Sequence, residues 1–516
     1  MQPFSDAMKK FTAFATSVIA AISLFVASGP CVNSDSSDIR PPAVAGQFYP
    51  GDPGMLKLAI QQFLKDSFEI TSEKPIAIIA PHAGYIYSGQ IIADAYRQAM
   101  KHSYDVVAIL GVNHTTAGFR GVSLADYAGF RTPLGTVSID QEVISALLKE
   151  DKDCVLNREV HAREHSIEIH LPFLQILFPK AKIVPAVIHP PDFEMCVRFG
   201  QALGRILKDR RALIVISTDL SHYPTYNDAV TTDRATLEAL ASLEPKRFTA
   251  LMKNLDVPNL ETRACGEAAI VAGVTAAKKL GAKRAVLVSY ANSGDIALGS
   301  MSRVVGYGAA VLDSGDAPGN SKLMARDYPH ATATPLQTAE KQILLSFARE
   351  TIRRYLTTQT VPLARNFPSR LNIPQGAFVT LRKNGELRGC IGQVLPQKEL
   401  AKTVGAMALF AAFNDQRFAP VSLSELNKLE IEVSVLTPMK PITSSEEIVV
   451  GRDGIVLSKA GKTAVFLPQV ATENRWNRTE MLDNLCIKAG LATGCWKSKA
   501  HLQIFQAEVF SESQFE

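Results

Sequence analysis

The stretch Ala80-Pro81-His82-Ala83-Gly84-Tyr85 decides how this chain is read. It follows Pro75-Ile76-Ala77-Ile78-Ile79, a short apolar run with the character of a strand buried on both faces. A Gly-containing turn comes next, and a helical pattern starts near Ser88 and covers residues 91–101. His82 is therefore expected at the carboxyl end of a strand, where open α/β sheets bind ligands. A second apolar run, residues 106–110, ends the same way in Gly111-Val112-Asn113-His114. One histidine after a strand is commonly structural. Two with the same placement suggest a metal site.

Working outward, a third strand over 212–217 ends in Thr218-Asp219-Leu220-Ser221-His222-Tyr223. His222 can act as a general acid or base, because imidazole titrates near neutrality. Asp219 can orient it or line the pocket, the alternative being a helix cap. Arg163-Glu164-His165-Ser166-Ile167-Glu168-Ile169-His170 is a further polar cluster. If it is helical, His165 and Glu168 share a face, and His170 is a third candidate. The spacing is not the His-Glu-x-x-His zinc motif, and a helix entrance or support for neighbouring groups is the alternative. Cys265, in Arg263-Ala264-Cys265-Gly266-Glu267, precedes a helix reaching about Leu280. A helix N-terminus lowers a thiol pKa, so a thiolate ligand is expected there. Glu267 is the rival carboxylate, and a small buried thiol is the other reading. Further helices are expected over 55–65, 141–149, 193–208, 235–242 and 246–253. Strands are expected over 183–188, 285–289 and 304–312, and the alternation implies an α/β fold.

The chain has 516 residues, 47% of them hydrophobic, and a formal net charge of +5. That length suggests two or more domains with ample core. No Lys/Arg block is long enough for a phosphate-binding stripe, so nucleic acid is not indicated. The N-terminus differs from the rest. Lys9-Lys10 precede an apolar run over 11–27, then Ser28-Gly29-Pro30-Cys31 and a polar tail. Residues 1–30 read as a signal peptide or membrane anchor and 31–40 as a polar linker. An extracytoplasmic location, periplasmic or anchored, follows; the chain is cytoplasmic if 1–30 serve neither role. The only membrane contact expected is through that segment. Seven cysteines occur without a Cys-x-x-Cys pair. Export would permit disulfides. Cys486 and Cys495 are the nearest pair, but sequence does not establish a bridge.

Residues 41–313 form one expected domain, 314–335 a small polar linker, and 336–513 a second domain. The second opens with a helix over 339–356. Asn384-Gly385 between two apolar runs is a strong hairpin signal. A helix over 400–414, a strand over 429–436, a hairpin around Ala460-Gly461 and a helix over 478–489 follow. Cys390, two residues from Arg388, reads as a nucleophile or as a small buried thiol, with no histidine near it in sequence. Arg388 can grip a carboxylate or phosphate, or simply be solvated.

Residues 41–313 resemble the Memo family, component B of the AmmeMemoRadiSam system. The marks are Pro81-His82-Ala83-Gly84-Tyr85, Gly111-Val112-Asn113-His114, Glu164-His165-Ser166-Ile167-Glu168, Asp219-Leu220-Ser221-His222 and Cys265-Gly266. The resemblance implies the α/β fold of class III extradiol dioxygenases of the LigB type. It implies His82, His114 and Cys265 as metal ligands, with His222 and Asp219 beside them. His165 and Tyr85 complete the expected catalytic group, Tyr85 as a substrate contact. A thiolate in place of the dioxygenases' carboxylate softens the site toward copper, zinc or a different iron chemistry. Residues 336–513 resemble the AMMECR family, component A, on Leu387-Arg388-Gly389-Cys390-Ile391-Gly392, Arg417-Phe418-Ala419-Pro420 and Glu432-Val433-Ser434-Val435-Leu436. That implies a smaller α+β domain and a radical-SAM partner protein. The chain lacks Cys-x-x-x-Cys-x-x-Cys and is not that partner itself. The expected function is metal-dependent oxidation of a small substrate by a two-domain protein of this system. The alternative is an accessory module that docks a partner.

Overall fold

The computed structural model describes residues 38–254, 257–315 and 335–515. The expected signal or anchor, most of its polar tail including Cys31, and most of the 314–335 linker lie outside the described residues. The described chain forms two compact units, 38–315 with 357–363, and 335–356 with 364–515. Among the described residues no helix is long and apolar enough to cross a membrane.

The first unit is built on an eight-stranded sheet. Its strands in chain order are β1 (Pro75–Ala80), β2 (Val106–Val112), β3 (Gly121–Leu124), β4 (Cys154–Leu156), β5 (Lys182–His189), β6 (Ala212–Ser217), β7 (Arg284–Asn292) and β8 (Gly306–Asp313). Their spatial order is β7-β8-β1-β6-β2-β5-β3-β4. The central four, β1, β6, β2 and β5, run parallel. Strands covered on both faces must be apolar throughout, which is why Pro75–Ala80 and Ala212–Ser217 show no alternation. The antiparallel pair β7 and β8 closes one side, β8 lying against β1. Helix Glu267–Lys279 crosses the parallel strands, and helix Tyr85–Ala99 packs on β1, β7 and β8. The topology places β6 between β1 and β2. The carboxyl ends of these three neighbours carry His82, Asp219 with His222, and His114.

The second unit has two antiparallel four-stranded sheets. The first contains β9 (Ala377–Lys383), β10 (Glu386–Gln393), β11 (Leu429–Leu436) and β16 (Ala507–Ser511), in the order β10-β9-β11-β16. The second contains β12 (Lys440–Ile442), β13 (Gly454–Lys459), β14 (Lys462–Phe466) and β15 (His501–Phe505), in the order β12-β15-β13-β14. Asn384 and Gly385 both adopt positive φ, 53° and 82°, at the expected hairpin turn. Helix Leu400–Phe413 packs on β9 and β10. Cys486 and Cys495, left open by the sequence, form a disulfide.

Candidate metal centre

β1 delivers His82 and β2 delivers His114 to the same rim, and Cys265 meets them from the turn before helix Glu267–Lys279. One ligand atom from each lies within 4.8 Å of the other two. Close backbone packing makes this convergence possible. A Cβ on Gly266 would stand 2.5 Å from the Thr218 side chain and 2.6 Å from Ser217 O. A Cβ on Gly111 would stand 2.6 Å from Ser166 Oγ. Any larger residue would push Cys265 or the loop opposite His114 out of register.

Hydrogen bonds fix which nitrogen each imidazole offers. Ser217 Oγ donates to Ser166 O at 2.7 Å, so toward His82 Nδ1, 2.8 Å away, it accepts. The His82 proton therefore sits on Nδ1, and the Nε2 lone pair faces Cys265 Sγ at 3.2 Å. His114 Nδ1 donates to Glu164 Oε1 at 2.9 Å, which leaves its Nε2 free. A carboxylate behind an imidazole is the usual way to set tautomer and raise ligand basicity. Glu164 is itself locked. Besides the His114 ring it accepts the amides of His114 (2.7 Å), His165 (2.9 Å) and Ser166 (2.8 Å). Burial alone would raise its carboxyl, but these donors win and hold it down at about 2. Burial opposes charging His114, and the Glu164 contact outweighs it, so that pKa is raised. His82 goes the other way: burial first, then its histidine neighbours, pushes it well below the usual imidazole range. The site thus presents one neutral imidazole, one backed by a carboxylate, and a thiol. His114, Glu164 and His165 also come close enough to hold an ion. The Glu164 oxygens are already spent on four donors, so that trio is poorly suited to it.

Asp219 clamps the assembly. Its carboxylate accepts the His82 amide at 2.8 Å. Its own amide donates to Cys265 Sγ at 3.2 Å, and its carbonyl accepts the Cys265 amide at 3.3 Å. Of the two expected roles, orienting His222 or lining the pocket, these contacts favour the second: Asp219 holds the loops of two candidate ligands. Burial raises it to about 6 against the His82 and Ala83 amides. His222 stands on the next turn, its Nε2 enclosed with no hydrogen-bond partner among the described residues. Burial, reinforced by His114, lowers its pKa to about 4, so the ring is neutral at pH 7. His165 stacks on His114 with centroids 4.6 Å apart and meets the Phe48 edge at 4.9 Å.

Three expectations need correction. Tyr85 is the first residue of its helix, three positions earlier than the pattern suggested, and its side chain turns into the core. Its hydroxyl donates to Ile169 O at 2.9 Å, so it is spent on the fold and not presented to substrate. Glu168 does not share a face with His165, because His165 precedes the short helix Glu168–His170. Glu168 instead forms a fully buried ion pair with Arg40 at 2.6 Å and accepts Ala43 N, Val44 N and the Tyr49 hydroxyl. His170 is also fully buried, against Tyr96. The third concerns Cys265: burial, with the Asp219 charge adding to it, pushes the thiol up rather than down. A single turn of helix dipole falls short of that desolvation, and an ionised thiol there needs a cation.

Glu164 and Ser166 stand in the quoted motifs with no role of their own, and Arg40, Phe48 and Ser217 carry no local signal. The Glu164-His165 pair was the available signal for the first. In the second unit Cys390 lies beside Thr380, whose hydroxyl is 3.3 Å from Sγ, and burial raises its thiol. Arg388 is committed to Glu425 and Ala419 O.

Residues 40–311 match the family model described as Memo-like protein, and 345–510 match that described as AMMECR1. The chain belongs to the Memo family. It carries an AMMECR1 domain fused after the Memo domain. A MEMO1 family protein of Methanocaldococcus jannaschii is 38% identical over 292 residues, covering 53% of this chain and 99% of the relative. One from Aquifex aeolicus is 38% identical over 273 residues, covering 52% and 97%. An uncharacterized protein of Pyrococcus horikoshii with a solved structure is 35% identical and superposes with a TM-score of 0.33, covering 34% of this chain and 93% of its own.

Proposed function

We propose that the Memo domain binds iron or copper through His82 Nε2, His114 Nε2 and Cys265 Sγ and oxidises a small substrate there with dioxygen as the electron acceptor; zinc in the same site would supply Lewis-acid chemistry only. The convergence of those three atoms within 4.8 Å is the observation that carries it. Two imidazoles and a thiolate suit soft or borderline transition metals. When bound, the ion supplies a Lewis-acid and redox centre. The protein's part is positional and protonic. Ser217 and Glu164 hold the two rings with Nε2 forward, and Asp219 holds the His82 and Cys265 backbones. Cys265 releases its proton as the ion binds, so loading is favoured by rising pH. His222, neutral and with an unpaired Nε2, accepts a proton from substrate. His165, stacked on the His114 ring, is a further polar wall.

An extracytoplasmic location is part of the same reading, and the Cys486–Cys495 disulfide supports it. A radical-SAM protein remains the proposed partner on the family resemblance alone. Elemental analysis of protein purified without added metal, followed by dioxygen uptake with catechols and other reductants, tests the function. Bound metal with turnover supports it. Metal without turnover, or no metal at all, transfers the case to the accessory, partner-docking reading, with the site structural in the first case and vestigial in the second.

A further inference from the structure

The AMMECR1 domain carries a group of cations for which the metal centre has no use. The two-residue turn Ala460-Gly461 joins β13 to β14 and sets Lys459 directly opposite Lys462. Like charges facing each other across strands repel and cost stability. Both ammonium groups are drawn onto the adjoining 488–499 segment. Lys459 Nζ donates to the carbonyls of Cys495 (2.8 Å) and Ser498 (2.7 Å), and Lys462 Nζ to that of Gly490 (2.6 Å). Lys488 Nζ reaches back to Val465 O at 2.9 Å. Lys497 and Lys499 lie on that same segment, which the Cys486–Cys495 disulfide ties to helix Arg478–Lys488.

None of these five lysines forms an ion pair among the described residues. Besides these five lysines, residues 454–501 hold Arg475 and Arg478, the latter paired with Glu446, against three Asp/Glu. Of these acids, Asp483 accepts Gly494 N and Trp496 Nε1 and feels the charge of Lys497 without pairing with it. Lysines also blunt exposed sheet edges, and β14 is an edge strand. That task accounts for a charge on the strand, not for those on the segment beside it.

We propose that this face docks on an anionic membrane surface. No member of the cluster is an arginine, so the face offers point charges rather than the forks that read phosphate or bases one at a time. Diffuse attraction to headgroups needs only the charge. Ile487, next to Lys488, is 57% exposed, and Lys497 sits 5.3 Å over the Trp496 ring. An apolar side chain and an amphipathic ring among lysines suit the headgroup boundary. On the proposed reading of residues 1–30 as a signal or anchor, the apolar run 11–27 behind Lys9-Lys10 brings the chain to a membrane.

The test uses the full chain and co-sedimentation with phosphatidylcholine vesicles, with and without phosphatidylglycerol. Binding through the N-terminal segment is common to both vesicle types, so the excess on anionic vesicles is the readout. That excess should vanish at high salt. It should fall about fivefold for each lysine replaced in the series Lys459→Gln, Lys462→Gln, Lys488→Gln, Lys497→Gln and Lys499→Gln. A variant with the same five changed to Arg keeps the charge and should bind like the parent, which separates lost charge from lost fold. An excess unchanged by the Gln series would overturn the proposal. So would tighter binding to a DNA duplex than to anionic vesicles, which would make the face a nucleic-acid surface.

Discussion

Replacing Arg40 by Met should destabilise the Memo domain by about 3–5 kcal/mol, the cost of breaking one partner from a buried ion pair. Arg40 and Glu168 have no exposed side-chain surface. The guanidinium also donates to His161 O and Glu164 O, each at 2.6 Å, and lies 4.8 Å over the Phe130 ring. Methionine restores much of the stem's packing but none of its donors. The Glu168 carboxylate would keep Ala43 N, Val44 N and the Tyr49 hydroxyl and lose the cation that pairs with it. For a domain of this size that is a fall in Tm of about 10 °C. The effect should reach the proposed metal centre, because Arg40 grips the backbone of Glu164, whose carboxylate holds His114. Metal affinity should drop about tenfold or more. Thermal melts by circular dichroism and competitive metal titration check both. Adding Glu168→Gln to Arg40→Met should recover part of the stability, because no unpaired charge then remains. A loss below about 1 kcal/mol for Arg40→Met, or no recovery in the double variant, would refute the buried-pair reasoning.

Four further outcomes follow from the same geometry. Glu164 titrates at about 2 instead of 4.5, so in the metal-free protein it contributes stability above about pH 4.5 that is lost as pH falls toward 2; melts of Glu164→Gln across that window should be flatter than the parent's, and parallel curves would remove the contribution. Tyr85→Phe should cost about 1 kcal/mol through the bond to Ile169 O and leave metal content unchanged; altered loading would return Tyr85 to the site. Breaking the Cys486–Cys495 bridge, which spans nine residues, should cost the AMMECR1 domain about 2.5 kcal/mol, seen as a lower urea midpoint for Cys486→Ser with Cys495→Ser; equal midpoints would contradict it. Glu267→Gln should leave metal loading as it is, whereas loss of metal in that variant would make Glu267 the ligand in place of Cys265.

The strands that place the site were legible because burial on both faces leaves an unmistakable apolar run, as in Pro75–Ala80 and Ala212–Ser217. His82 and His114 followed, since a residue just past a parallel strand can only emerge at the carboxyl rim. Side-chain direction was not legible. Tyr85 lies three residues from His82, yet its helix starts early enough to turn the ring inward. Glu164 and Glu168 look alike in sequence, and their partners decide their roles: His114 for one, Arg40 for the other. Arg40 sits more than a hundred residues from every group its guanidinium hydrogen-bonds, so no local pattern could announce it. The Cys265 thiol shows the same limit, because its ionisation depends on desolvation by residues that only the fold brings near.

X-ray absorption at the metal edge of the loaded protein tests the central claim most directly. The account predicts one sulfur and two imidazole nitrogens from the protein, with the sulfur lost in Cys265→Ser and one imidazole lost in His82→Ala or His114→Ala. A ligand shell of oxygen and nitrogen without sulfur, unchanged by Cys265→Ser, would contradict it.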